Sequence, residues 1–331
     1  MRIPPRASFS FPRLLMIAPR LRHLSTALLA LSLAHAALAQ LPTTKLELIA
    51  ALPVDGPDSP HPSGLTYVDG LLFTVSNKND HSVYRLDLDP DSEAVIMEPY
   101  IVFNAPWSGA WVRRLDFEGL TYWNESFFIV SESTYRVLRI SEDGRLVEWV
   151  TPSVEKVGRS AGLFETKNAR IEGLALLNPS RFVLAAEREP RGLLEVTTVD
   201  SKVVNVNGME TSSEIQALAC DETLLALTHD RPVDFSDLYR DGDELFALQR
   251  NSDAVVRIDY DSDSLTEMEA WTYGHVTNAP AFRYENSSAG HGRGLCMDQD
   301  RVYVILDNND LSREADPDDS RPLLLIFQRP Q

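Results

Sequence analysis

The stretch RIEGLALLNPSRFVLAAEREP, residues 170–190, decides the reading of this chain. Two apolar runs, GLALL (173–177) and FVLAA (182–186), flank an Asn-Pro-Ser turn. Short apolar runs broken by such a turn read as a β-hairpin. Carboxylates frame it, with Glu172 opening the first run and Glu187 closing the second. Paired strands of a hairpin run antiparallel, so the start of one and the end of the next share an edge. The two carboxylates should therefore stand on one rim.

The same frame is written again along the chain. SGLTYVDGLLFTVSN starts at Ser63, EGLTYWNESFFIVSE at Glu118, SDLYRDGDELFALQR at Ser236 and RGLCMDQDRVYVILDN at Arg293. Their equivalent positions, Gly64, Gly119, Gly173, Asp237 and Gly294, lie 55, 54, 64 and 57 residues apart. Each unit offers three or four short strands rich in Val, Ile, Leu, Phe and Tyr, and no amphipathic helix of 12 residues interrupts them. Repeats of this length with several strands each are the signature of propeller blades. The fold expected is all-β, a single closed β-propeller of five or six blades of about 55 residues. Two segments leave the number open. EIQALACDETLLALTHD (214–230) reads as an extra strand pair, and KLELIAALPV (45–54) reads as a strand that completes the last blade and closes the ring.

Residues 1–39 stand apart from the repeat. Arg20 and Arg22 precede the apolar run LSTALLALSLAHAALA, which ends in the small-residue pattern Ala37-Leu38-Ala39. That is the order of a secretory signal peptide, too short and too polar for a membrane span. Met16 alone would open a tidier segment of the same kind. The expectation is removal of 1–39 and a propeller domain over 40–331 in the periplasm or outside the cell. The five arginines of the leader leave 26 basic against 49 acidic residues, a net charge near −23. Such a chain repels nucleic acid and favours cations. Cys220 and Cys296 are the only cysteines, too few for a disulfide scaffold, and whether they pair is left open.

Several stretches resemble, in order, the phytase-like family, whose domain carries the description "esterase-like activity of phytase". They are DFEGLTYWNESFFIVSE (116–132), NARIEGLALLNPSRFVLAAE (168–187), FSDLYRDGDELFALQR (235–250) and GLCMDQDRVYVILDNND (294–310). They are also similar to the SdiA-regulated propellers of the bacterial envelope. The resemblance implies the propeller fold; function has to be argued from a site. Departures stand at Arg293 and Ser63, where the second and third units carry Glu, and at Gln249-Arg250.

In a propeller the innermost strands line the axis, so equivalent residues of different repeats converge. One such ring comprises Ser63, Glu118, Glu172, Ser236 with Asp237, and Arg293. A second, at the ends of the second strands, comprises Asn77, Glu132, Glu187 with Arg188, Gln249 with Arg250, and Asp307 with Asn308. Carboxylates gathered near one axis repel unless protons or a cation intervene. Glu118, Glu132, Glu172 and Asp237 are the expected ligands of a hard, oxygen-bound cation, most simply calcium. Glu172, Glu187, Arg250 and His291 are the candidate catalytic residues, and Arg188, Asn77, Asp307 and Asn308 the candidate ligand contacts. A glutamate before Gly-Leu also has an architectural use, accepting backbone N–H groups from the next blade. No Gly-x-Ser-x-Gly elbow is present, which argues against an α/β-hydrolase esterase. The expected function is binding of a divalent cation and a small anionic ligand in the axial channel, with hydrolysis of a phosphate ester left open as the reaction to test. The alternative is a non-catalytic propeller that binds an envelope protein or ligand through its loops.

Overall fold

A computed structural model describes residues 41–331 except 89–92, 110, 199–213, 221, 262–263 and 286–287. The expected signal segment therefore lies outside the described residues. Its regular secondary structure is almost wholly β, in antiparallel four-stranded units. The first contains β3 (Pro62–Val68), β4 (Leu71–Ser76), β5 (Ser82–Asp87) and β6 (Val95–Val102). The second contains β7 (Phe117–Tyr122), β8 (Ser126–Ser131), β9 (Arg136–Ser141) and β10 (Val147–Trp149). The third contains β11 (Ile171–Asn178), β12 (Arg181–Ala186), β13 (Gly192–Thr197) and β14 (Glu214–Ala219). The fourth contains β15 (Asp237–Asp241), β16 (Glu244–Gln249), β17 (Ala254–Tyr260) and β18 (Leu265–Thr272).

The last unit is built from both ends of the described chain. It contains β19 (Gly292–Met297), β20 (Arg301–Leu306), β21 (Leu323–Gln328) and, as outer strand, β2 (Glu47–Asp55). β2 pairs antiparallel with β21, so KLELIAALPV completes the last unit as its apolar pattern implies. Two parallel pairs, Val54 with Val95 and Asp55 with Ile96, link β2 to β6 of the first unit. A short β1 (Thr43–Lys45) adds to β18 of the fourth.

The apolar runs of the second strands are nearly unbroken because both faces are buried. In β8, Phe127 and Ile129 pack toward the first unit and Phe128 and Val130 toward the third. In β12, Phe182, Leu184 and Ala186 pack toward the second unit, and Val183 and Ala185 toward the fourth. Side chains alternate faces along a strand, so a strand sandwiched between two units must be apolar at every position. Each of the five core clusters spans two neighbouring units, so the core is a series of interlayers around an axis.

The innermost strands close that ring, β3 against β7, β7 against β11, β11 against β15, β15 against β19 and β19 against β3. The repeated glycine exists for this approach. A Cβ on Gly119 would lie 2.6 Å from the Leu174 nitrogen, and one on Gly294 2.4 Å from the Ser63 oxygen. The fourth unit carries Asp237 instead, whose buried carboxyl accepts the N–H groups of Leu238 (2.9 Å) and Leu295 (2.8 Å).

One expectation needs correcting. Only the first half of EIQALACDETLLALTHD is a strand, and it is the outer strand of the third unit. The second half has its backbone bonded elsewhere: Leu224 N–H to the Glu267 carboxyl (2.9 Å) and Thr228 N–H to the Asn251 carbonyl (2.9 Å). These donors, taken by a side chain and a turn, are not free for a ladder. Cys220 and Cys296 are both free thiols.

Candidate functional site

Antiparallel pairing places Ile171 opposite Ala186 and Phe117 opposite Ser131, so strand starts and strand ends meet at one edge of the ring. At that edge lies a polar cavity of about 520 Å³. It gathers Asn77, Glu118, Glu132, Glu172, Glu187, Arg188, Arg250 and His291 from the sequence-predicted set. Asp237, Asp307 and Asn308 do not line it. Asp237 caps backbone groups at the axis. Asp307 is bonded to His61 Nδ1 (3.1 Å) and to Asn309 N–H (3.0 Å). The Asn308 amide donates to the carbonyls of Leu311 (2.7 Å) and Ser320. These last two tie down the 307–322 connection.

The cavity has two kinds of wall. On the third and fourth units every carboxylate is crossed by an arginine. Arg250 binds Asp234 through Nε at 2.6 Å, bonds Glu187, and reaches to 3.8 Å from Glu172. Arg293 binds Glu172 at 3.0 Å and lies 4.0 Å from Glu118. Arg188 also bonds Glu187, yet the second oxygen of Glu187 is buried without a hydrogen-bond partner. On the second unit Asp116, Glu118 and Glu132 each bring a carboxylate oxygen within 4.8 Å of the others. Glu118 is bonded by Ser63 and by Asn77 Nδ2 (3.4 Å). Neither Asp116 nor Glu132 is ion-paired among the described residues. Burial and then Glu172 lift Glu118 well above the usual carboxylate range, and the same causes with Asp116 push Glu132 up to about 8.

Exposed Lys78, Lys167 and Arg231 line the same cavity, and none makes an ion pair among the described residues. His291 donates from Nδ1 to the Asp307 carbonyl (2.7 Å), which fixes its tautomer when neutral. Burial holds its pKa below the usual value.

Reading by repeat position missed Asp116, Asp234, Lys78, Lys167 and Arg231. A signal existed for the first two. Asp116-Phe117-Glu118 and Asp234-Phe235-Ser236 occupy the same place in their repeats, where His61, Arg170 and His291 stand in the others. Of this third ring, two residues before the inner-strand position, Asp116 and His291 line the cleft, and Asp234 lies behind it, bonded to Arg250.

The donor set suits a hard cation. Three carboxylates converge, and the Asn77 Oδ1 beside them is buried without a hydrogen-bond partner. Carboxylate and amide oxygens with no thiol or imidazole match calcium better than zinc. The structure does not bring Glu172 or Asp237 into this group.

An all-β ring with a polar cleft at one end of its axis defines the protein as a β-propeller. A model of the phytase-like family, "Esterase-like activity of phytase", matches residues 61–259, and the chain belongs to that family. No curated protein matches it by sequence. Among solved structures it is similar to the glutaminyl cyclase of Myxococcus xanthus, at 13% identity and a TM-score of 0.48 over 88% of this chain and 100% of that one. It is also similar to a chain of a nidogen/laminin complex, at 11% and 0.44 over 81% and 85%. A third is the PQQ-bound aldose sugar dehydrogenase of Streptomyces coelicolor, at 10% and 0.41 over 86% and 98%.

Proposed function

We propose that the cleft binds a divalent cation, calcium, at Asp116, Glu118 and Glu132 and there hydrolyses a small anionic ester, first among them a phosphate ester. We also propose that the protein works outside the cytoplasm after loss of residues 1–39. One observation carries the reading. A three-carboxylate cluster in which, among the described residues, no basic group pairs with Asp116 or Glu132 shares its cavity with Lys78, Lys167 and Arg231, which make no ion pair among those residues either. A bound cation would supply Lewis acidity toward an ester oxygen.

The chain's own residues supply the rest. Lys78, Lys167 and Arg231 attract and orient the anion, and Arg188 adds a donor fork suited to phosphate oxygens. Arg250 and Arg293 hold Glu187 and Glu172 in place rather than meeting substrate. The unpartnered Glu187 oxygen is an acceptor for a proton from attacking water. His291, kept neutral by burial, can take up or return a proton at the opposite side.

Two measurements test this. Bound calcium in the purified protein, and its melting with and without chelator, test the cation; equal melting with no metal would remove it. A panel of phosphomonoester, lactone and carboxyl-ester substrates tests catalysis, with Glu187→Gln expected to lower turnover at least 100-fold in a folded protein.

A second reading has its own observation. Trp107 and Trp111 are 61% and 95% exposed, with ring centroids 4.8 Å apart, on the loop between the first and second units. A non-catalytic propeller would use such a loop to grip an envelope protein. In that case the substrate panel is blank, and Trp111→Ala abolishes capture of the partner.

A further inference from the structure

Beside the polar cleft lies a second cavity, of about 190 Å³. Its walls include Phe282, Tyr284 and Leu306, and two residues, Ser288 and His291, line both cavities. The His291 ring is held against Tyr284 edge to face, with centroids 4.9 Å apart, so the shared wall is braced. At the other margin His229 Nε2 lies 3.0 Å from Asp253 Oδ2. That oxygen also accepts from Thr228 (2.8 Å) and Asn278 Nδ2 (3.3 Å). The Asp253 side chain is 1% exposed and that of His229 13%. This pair, with Thr228, Thr277 and Asn278 beside it and Asp230 and Arg283 also on the lining, forms a polar wall that faces the Phe282, Tyr284 and Leu306 side. A cavity of roughly 150 Å³ with apolar walls is known to accept benzene, so this one has room for a single substituted ring.

We infer that the small cavity is the second half of the same site and receives an aromatic ring joined to the anionic group held in the cleft. The substrate class is then an aryl-bearing anion, such as an aryl phosphate, with the ester bond near His291. This rests on the reading of the cleft as an anion site. It adds to it the identity of the uncharged part of the substrate. The cleft selects for charge and is otherwise tolerant; the small cavity, by its size and its Phe282 and Tyr284 wall, takes one flat ring and excludes a bulky sugar.

Calorimetric titration of the calcium-loaded protein with inorganic phosphate and with phenyl phosphate tests it. Burial of one ring should make phenyl phosphate bind about 10- to 100-fold more tightly than inorganic phosphate. Filling the cavity by Thr277→Phe should cut that advantage to under about threefold, and Phe282→Ala should weaken it by about tenfold. Neither should change the affinity for inorganic phosphate, which also reports that both variants fold. Inorganic phosphate binding with no advantage for phenyl phosphate overturns the inference and leaves the anion site standing. An advantage that survives Thr277→Phe overturns it too. Failure of both anions to bind removes the cleft reading and this one together.

Discussion

The second and third units carry the same frame and put it to different uses. Glu118 and Glu132 stand in one, Glu172 and Glu187 at the same places in the other. All four line one cavity. In the third unit the carboxylates are met by Arg250 arriving from the fourth unit and Arg293 from the last. In the second unit they are met by Ser63, Asn77 and another acid, Asp116. Repetition brings equivalent residues to one rim. The residue that the next unit presents there decides whether a carboxylate becomes half of a clamp or is left competent to bind.

The clamp side should be the more fragile. Arg250→Met would leave Asp234 buried without its cation and take from Glu187 one of its two arginines, a loss of about 3–5 kcal/mol. Glu132→Gln should cost less than ~1 kcal/mol in metal-free protein, because burial and its acidic neighbours already keep that group protonated near neutral pH, as the amide mimics. Urea unfolding of both measures the contrast; equal losses would erase the distinction between the two walls. Next in size is the cation itself. Calcium at 100 times its Kd should stabilise the protein by about 2.7 kcal/mol. Glu118→Gln and Glu132→Gln should each abolish that gain while Asn308→Ala keeps it, as followed by melting. A smaller effect belongs to the axis. Asp237→Ala leaves the Leu295 N–H buried without its acceptor and should cost about 1–3 kcal/mol, with calcium stabilisation unchanged.

The fold was legible because its determinants are local and repeated. Strands buried on both faces read as unbroken apolar runs, and the close approach of inner strands requires glycine at one place in every unit but the fourth. The rim was legible for the same reason: Glu172 and Glu187 could be paired from hairpin direction alone. Partner choice was not legible. Nothing in the spacing of Asp237 distinguishes a carboxylate that caps backbone N–H groups from one that faces a cation. Nothing in Asp307 announces that His61, 246 residues away, will bond it. Asp116 went unseen because it precedes its strand, at a positive φ of 56°, where alternation no longer says which way a side chain points. The segment 222–230 misled because its apolar residues mimic a strand, while its backbone donors are claimed by Glu267 and Asn251.

The finest test of the comparison is its pH dependence, and the sign follows from where protons sit. Burial with its neighbours lifts Glu132 to about 8 and Glu118 well above the usual range. An unfolded glutamate titrates near 4.3, so between about pH 4.5 and 8 the folded chain holds protons that the unfolded chain has released. Stability of the metal-free protein should therefore fall as pH rises through that window, by about 1 kcal/mol given the openness of the cleft to water. His61, raised by its bond to Asp307, adds a fall of the same sign above its unfolded value. His291, lowered by burial, adds an opposing rise just below the usual histidine range. Asp307 is lowered: burial works against ionisation, but the His61 bond and Arg293 outweigh it, so its contribution is lost only below the carboxylate range. The Glu118→Gln, Glu132→Gln double variant isolates the second unit, because it should flatten the fall while leaving both histidine effects. Calcium needs the ionised carboxylates, so it must displace those protons, and its stabilisation of the native chain should be larger at pH 8.5 than at pH 5.5. A calcium effect that is equal at both values, or a double variant that falls as steeply as the native chain, would show that the second-unit carboxylates are clamped as firmly as those of the third.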